Sequence, residues 1–269
     1  MHRFALFGLL VSLALLPGAV FAGEDGGAFD HSYAALDGVL KSRVDARGMV
    51  DYEGLKSDPA LDAFLSAVAS VPPEEVGGWS RSAQIAFYTN AYNAITLKAI
   101  LDASPVASIR DIEPNAWDHA KWSVAGRTVS LNWIEHTKLR NNLKEPRVHF
   151  TLVCAAKGCP KLKNRAYTAE NIASEMEAAA KGFFSDAGKN RIDVSGKKVY
   201  LSKLLDWYGD DFVGRDDLPK LTGNDGLSAK QQATVRLFAK YLSDANRAAL
   251  GAGGFTVVYN EYDWALNKQ

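Results

Sequence analysis

The chain has 269 residues, 47% of them hydrophobic and 23% charged, the make-up of a folded protein rather than a disordered one. Lys plus Arg and Asp plus Glu both total 31, and that balance argues against the basic surface of a general nucleic-acid binder. Two cysteines, Cys154 and Cys159, are too few for a disulfide-built scaffold.

The N-terminus reads as a leader. Arg3 precedes an apolar run from Phe4 to Leu16, Pro17 and Gly18 break it, and Val20-Phe21-Ala22 offers a cut after Ala22. The run is shorter than the roughly 20 residues that cross a bilayer. The cleavage region has no Cys for a lipid anchor, and no later stretch is apolar enough to span a membrane. The expectation is a signal peptide over residues 1–22, a flexible leader over 23–28, and one globular domain over 29–269, periplasmic or secreted.

Tyr33, Leu36, Val39 and Leu40 recur at helical spacing, as do Leu61, Phe64, Leu65 and Val68, the second helix stopping at Pro72-Pro73. The strongest helix runs from about Ser82 to Ala103 with Ser80 or Ser82 as cap, and it is apolar nearly all round, as a central buried helix is. Trp122 to Leu131 reads as a hairpin turning at Ala125-Gly126. Leu131 to Arg140 reads as a short helix capped by Ser130, and Arg147 to Val153 alternates like a strand. Thr168 caps a helix to about Phe184, and Arg191 to Leu201 is a second hairpin turning at Ser195-Gly196. Ser202 caps a helix to near Phe212, Ser228 caps one to about Asp244, and Phe255 to Tyr259 is a last strand. Helices and hairpins without a βαβ rhythm predict an α+β fold, in which a central buried helix packs against a mainly antiparallel sheet built from hairpins, with further helices around it.

Chemistry concentrates between Arg147 and Pro160, where His149, Cys154 and a Gly158-Cys159-Pro160 turn come close together. A thiol near an imidazole is the usual way to a thiolate. On a strand His149 and Cys154 point to opposite faces, so a direct pair needs a bulge at Val153, whereas Cys159 is freer to turn back. In an oxidising compartment the same two cysteines pair as a disulfide instead, and both readings stand. On the preceding helix Glu135 stacks with Leu131 and Leu139 at i, i+4 spacing beside His136, so a partly buried carboxylate is either an orienting or acid–base group or the partner of Arg140. Asn90 and Asn93 share one face of the central helix, where they brace loops or bind a ligand. His136, His149, Cys154 and Cys159 lack the paired spacing of zinc ligands, so no metal and no cofactor is expected.

These segments together resemble the family catalogued as domain of unknown function 547. The matching stretches are Ala86 to Ala94, Ile134-Glu135-His136 with Leu139-Arg140, Arg147 through Cys154 to Cys159-Pro160, Leu201-Ser202 with Trp207-Tyr208 and Asp211-Phe212, and Tyr262-Asp263-Trp264. The resemblance implies a single domain, often exported in bacteria, and no particular activity. Papain-like and transglutaminase-like enzymes are similar in a looser way, through a central helix on an antiparallel sheet that carries a His. Their nucleophilic Cys opens the central helix, and Trp79-Ser80-Arg81-Ser82 has none.

Two functions compete. In the first, preferred because the densest motif holds the most reactive residue types, the protein is a thiol-dependent envelope hydrolase or acyltransferase acting on amide bonds. Cys159 or else Cys154 is the nucleophile, His149 or His136 the base, and Glu135 or Asn90 the orienting group. In the second it is a non-catalytic periplasmic binding module for a small-molecule or peptide ligand, with Cys154 and Cys159 locked as a disulfide and Asn90, Asn93, His149 and aromatic residues forming the pocket. A redox protein cycling the two cysteines is a lesser third, for want of the Cys-x-x-Cys spacing.

Overall fold

The structure is a computed structural model that describes residues 29–269; the expected signal peptide and leader lie outside the described residues. Helix α1 (Ala34–Arg43) buries Leu36, Val39 and Leu40. The short α2 (Tyr52–Leu55) opens at Asp51, whose carboxylate accepts the Gly54 N–H. Helix α3 (Ala60–Ser70) lays Leu61, Phe64 and Val68 against α1. Pro72-Pro73 ends α3 as expected and also starts another element, because Pro73 takes the first position of α4 (Pro73–Gly78), where its missing N–H leaves nothing unsatisfied.

Helix α5 (Arg81–Ala103) is the buried rod the sequence predicts, with the Ser80 hydroxyl accepting the Ala83 N–H. Its closest packing partners are helical: α3, the Trp133–Asn142 helix and α6 (Ile172–Ser185). Two amides on its buried face clasp loop backbone. Asn90 donates to Tyr167 O at 2.7 Å and accepts Tyr167 N–H at 3.0 Å. Asn93 donates to Thr151 O and accepts Val153 N–H, both at 2.9 Å.

The first hairpin, β1 (Trp122–Val124) and β2 (Arg127–Val129), turns at Ala125-Gly126, both at positive φ, and the two turn N–H groups donate to Val68 O and Ala69 O of α3. The helix after it differs in type from the expected α-helix. Ser130 does cap its entry, but Trp133–Asn142 is a π-helix, and the exit bond runs from Leu143 N–H to Lys138 O. The expected strand Arg147–Val153 is not a strand. Pro146–Phe150 forms a 3-10 helix, with Pro146 in its first turn and Glu145 accepting both the Arg147 N–H and its guanidinium. Thr151 and Leu152 N–H close back on Val148 O, so the backbone is satisfied locally without a sheet neighbour.

The Thr168 hydroxyl holds a turn, and α6 itself begins a few residues later. Strands β3 (Arg191–Asp193) and β4 (Lys198–Leu201) form the second expected hairpin. The last strand, β5 (Thr256–Tyr259), joins β4 in parallel, giving the order β3-β4-β5, a departure from wholly antiparallel pairing. Helix α7 (Lys203–Tyr208), capped by Ser202, runs into a 3-10 turn at Gly209–Phe212. The helix expected from Ser228 to about Asp244 ends earlier, as α8 (Ala229–Ala239), and an unexpected helix, α9 (Asp244–Gly251), capped by Ser243, begins where it was to stop. The class is α+β, with small sheets beside a mostly helical body.

The buried side chains form two clusters. One joins α1 through the π-helix, the cysteine loop and the start of α6. The other joins the end of α6, β4, α7, α8 and Phe255, with Phe150 reaching into it from the 3-10 helix. Among the described residues no helix is long and apolar enough to cross a membrane.

The Asn93 clasp gives a direct test. Asn93→Ala leaves the Thr151 carbonyl and the Val153 N–H unpaired in the interior, so we expect a loss of about 2 to 4 kcal/mol. It should appear as a lower urea midpoint at unchanged slope.

Candidate functional site

A cavity of about 350 Å³ opens where the two clusters meet. The π-helix brings Glu135 and His136 to it, the 3-10 helix brings His149, α7 brings Trp207 and Tyr208, and the C-terminal segment brings Tyr262 and Trp264. Tyr92 of α5 and Trp117 complete the aromatic wall, with Asn115, Asp118 and Asn132 beside them and both cysteines in the wall. His149 and Glu135 are 3% and 5% exposed.

A polar network fixes these groups. Asp211, just after α7, accepts two hydrogen bonds from Arg140, Nε at 2.6 Å and Nη2 at 2.7 Å, and faces His149 Nε2 at 2.8 Å. Burial opposes ionisation of Asp211, but His149 and Arg140 outweigh it and hold the carboxyl well below the usual carboxylate range. The pair expected between Glu135 and Arg140 is therefore replaced by one between Arg140 and Asp211. A carboxylate only accepts, so His149 Nε2 carries its proton toward Asp211, while Nδ1 faces Glu135 Oε1 at 3.7 Å. Arg140 Nη1 also meets His136 Nδ1 at 2.5 Å. A guanidinium only donates, so Nδ1 of His136 is a lone pair and its proton sits on Nε2. Burial, joined by Arg140 and His149, depresses the His136 pKa against the pull of Glu135 and Asp211. The Tyr208 ring stacks on His149 with centroids 4.1 Å apart. Burial, with Glu135 close by, pushes its phenol well up. Burial does the same to Tyr92, again beside Glu135.

Cys154 and Cys159 are joined as a disulfide, with Cα atoms 6.4 Å apart. Cys159 Sγ accepts from Cys154 N–H and from the Tyr262 hydroxyl, each at 3.0 Å. Burial keeps that hydroxyl protonated by raising its pKa. Lys157 N–H and Gly158 N–H donate to Ala265 O and Asp263 O, which ties the loop to the C-terminal segment. Gly158 is required by proximity, since a Cβ there would lie 2.9 Å from the Tyr262 ring.

Of the residues singled out in the sequence, Glu135, His136, His149, Cys154 and Cys159 all reach this one cavity, whereas Asn90 and Asn93 are committed to loop backbone and do not line it. Asp211, Tyr208 and Tyr262 stand out in the sequence only within the resemblance motifs, as does Tyr92 within the Ala86–Ala94 stretch. Asp211 could have been sought as the acid facing a basic pair, but its partners lie 71 and 62 positions away. Among the described residues no group of three or more His, Cys, Asp or Glu is placed to hold a metal ion.

Residues 76–184 match the family described as Protein of unknown function, DUF547. The match places this part of the chain, from α4 through α6 with Glu135, His136, Arg140, His149 and both cysteines, in the family that its motifs resemble. No curated protein and no solved structure matches the chain.

The low Asp211 pKa predicts an acid limb of stability. A carboxyl whose folded pKa lies below its unfolded value of about 3.9 stabilises the fold above that value and loses the contribution as pH falls below it. Between pH 5 and pH 2 the wild type should lose more stability than Asp211→Asn, read as thermal midpoints across the series.

Proposed function

We propose that the protein is exported, cut after Ala22, and that its cavity is a recognition site for a small-molecule or peptide ligand, with the cysteine pair serving as a structural brace. The observation that carries this reading is the commitment of the reactive groups to one another. Both nitrogens of His149 face carboxylates, Nδ1 of His136 accepts from Arg140, and the two sulfurs are bonded together. What is left facing the cavity is a wall of aromatic rings with Glu135 and a few polar side chains, the composition of a ligand pocket with a small number of orienting groups.

One observation favours the thiol enzyme as a second reading. With the pair reduced, a Cys159 thiolate would keep two donors, Tyr262 O–H and Cys154 N–H, and such donors stabilise the charged form. Cys159 would then attack the acyl carbon of an amide from the cavity wall, its C–S bond replacing the C–N bond as the nitrogen leaves as a protonated amine, and water or an acceptor amine would release the acyl group from sulfur.

Alkylation of the protein purified from its own compartment, with and without prior reduction, separates the two. We expect a mature chain beginning at Gly23 in which neither cysteine alkylates until reductant is added. Fast alkylation of Cys159 near neutral pH without reductant would overturn the brace and establish the nucleophile.

A further inference from the structure

The cavity's charges and rings are unequally assorted. Among the described residues no Lys or Arg lines it, whereas Glu135 and Asp118 do, together with Tyr92, Trp117, Trp207, Tyr208, Tyr262 and Trp264. The polar network behind the wall does not reverse this sign. Arg140 is answered by Asp211, and Arg110, over the Trp264 ring, is the one further Arg or Lys charge set against those of Glu135 and Asp118 among these residues. His136 adds none, since its Nδ1 accepts from Arg140.

Glu135 is the second observation. Its side chain is only 7% exposed, yet it lines the open cavity and, among the described residues, closes no ion pair with a Lys or Arg. Beside it stand the His149 ring, Nδ1 to Oε1 3.7 Å, and the Tyr92 and Tyr208 phenols. The aromatic wall shows the matching preference from outside, because Arg110 places its guanidinium 5.2 Å from the centroid of Trp264. Indole and phenol faces attract cations through their quadrupole, the more so in a desolvated site.

We infer that the cavity binds an organic cation, a ligand carrying an ammonium head seated among the Trp207, Tyr262 and Trp264 rings and directed toward Glu135. This rests on the recognition reading above and names its ligand class. An ammonium flanked by carbon matches the site in both respects, since its apolar substituents cover the rings while its charge answers the buried carboxylate. A carboxylate or phosphate ligand would meet Glu135 and Asp118 with like charge, and a neutral one would set no charge against Glu135 from the side of a wall that holds no Lys or Arg among the described residues.

The test uses three probes of one shape with the intact, oxidised mature protein: choline, its neutral isostere 3,3-dimethylbutan-1-ol, and the anion 3,3-dimethylbutanoate. Binding is read by tryptophan fluorescence and by calorimetry. We expect choline to bind at least about tenfold more tightly than the alcohol, and the anion more weakly still. Glu135→Gln should remove the preference for choline over the alcohol while leaving the alcohol's affinity in place. Trp207, 42% exposed and so free of any large folding role, gives the second variant, and Trp207→Ala should weaken choline about tenfold. Binding of the alcohol or the anion as tightly as choline, with Glu135→Gln silent, would overturn the cation preference and leave the recognition reading standing. No response to any of the three would likewise overturn the cation inference, while the alkylation experiment decides the recognition reading on its own.

Discussion

The site hangs on Asp211. It belongs to the cluster built from α7, α8 and the small sheet, and its two partners come from the other side, Arg140 from the π-helix and His149 from the 3-10 helix. Two parallel bonds from one guanidinium and a third from an imidazole satisfy the carboxylate from several directions, which is the condition under which a half-buried ion pair recovers its desolvation cost. The geometry also carries the aromatic wall. Tyr208 stacks on His149 and takes the Arg140 guanidinium on its ring at 5.1 Å, so the rings and charges hold one another in register across the seam. A cavity between two packed clusters keeps its shape only if something crosses between them, and this triangle crosses.

The irregular helices follow from the same requirement. Glu135, His136 and Arg140 lie within six residues of one π-helix and serve three different partners: the cavity, Arg140 itself, and Asp211. Leu131 and Leu139 are fully buried on the same stretch, so the apolar stripe seen in the sequence survives the change of helix type. π-helical turns recur at functional sites because the widened backbone places side chains that an ordinary turn would not. The 3-10 helix does the equivalent for His149, which sits next to Phe150: one side chain faces the polar network while its neighbour anchors the second cluster.

Much of the fold is legible in the sequence. The α5 rod announces itself by a run of apolar residues with a Ser ahead of it, and both hairpins by their Gly turns. What misleads is Arg147-Val148-His149-Phe150-Thr151-Leu152-Val153, whose alternation mimics a strand. The deciding interaction there is the Glu145 cap on Arg147, preceding the segment, and alternation does not report it. The convergence of Glu135, His136, His149 and the cysteines could be suspected from residue type. The partner that orders them could not. Asp211 looks like any acid in an Asp-rich turn until the chain folds, and Asn90 and Asn93, which look equally functional, face loop backbone instead.

Tyr262 links the cysteine loop to the aromatic wall. Its ring lies against Gly158 and against Trp207 and Trp264, at centroid distances of 4.9 and 4.6 Å, while its hydroxyl reaches both sulfurs. The loop is tied in turn to the segment that carries this tyrosine through Asp263 O and Ala265 O. Sulfur chemistry and ring placement are thus not independent here. A change in the state of the cysteine pair alters the acceptor that the Tyr262 hydroxyl sees, and a ligand that displaces the Tyr262 ring alters the donor that Cys159 sees. The two readings of the site share one mechanical element, and for that reason the oxidation state of the pair bears on the cavity even where neither sulfur touches the ligand.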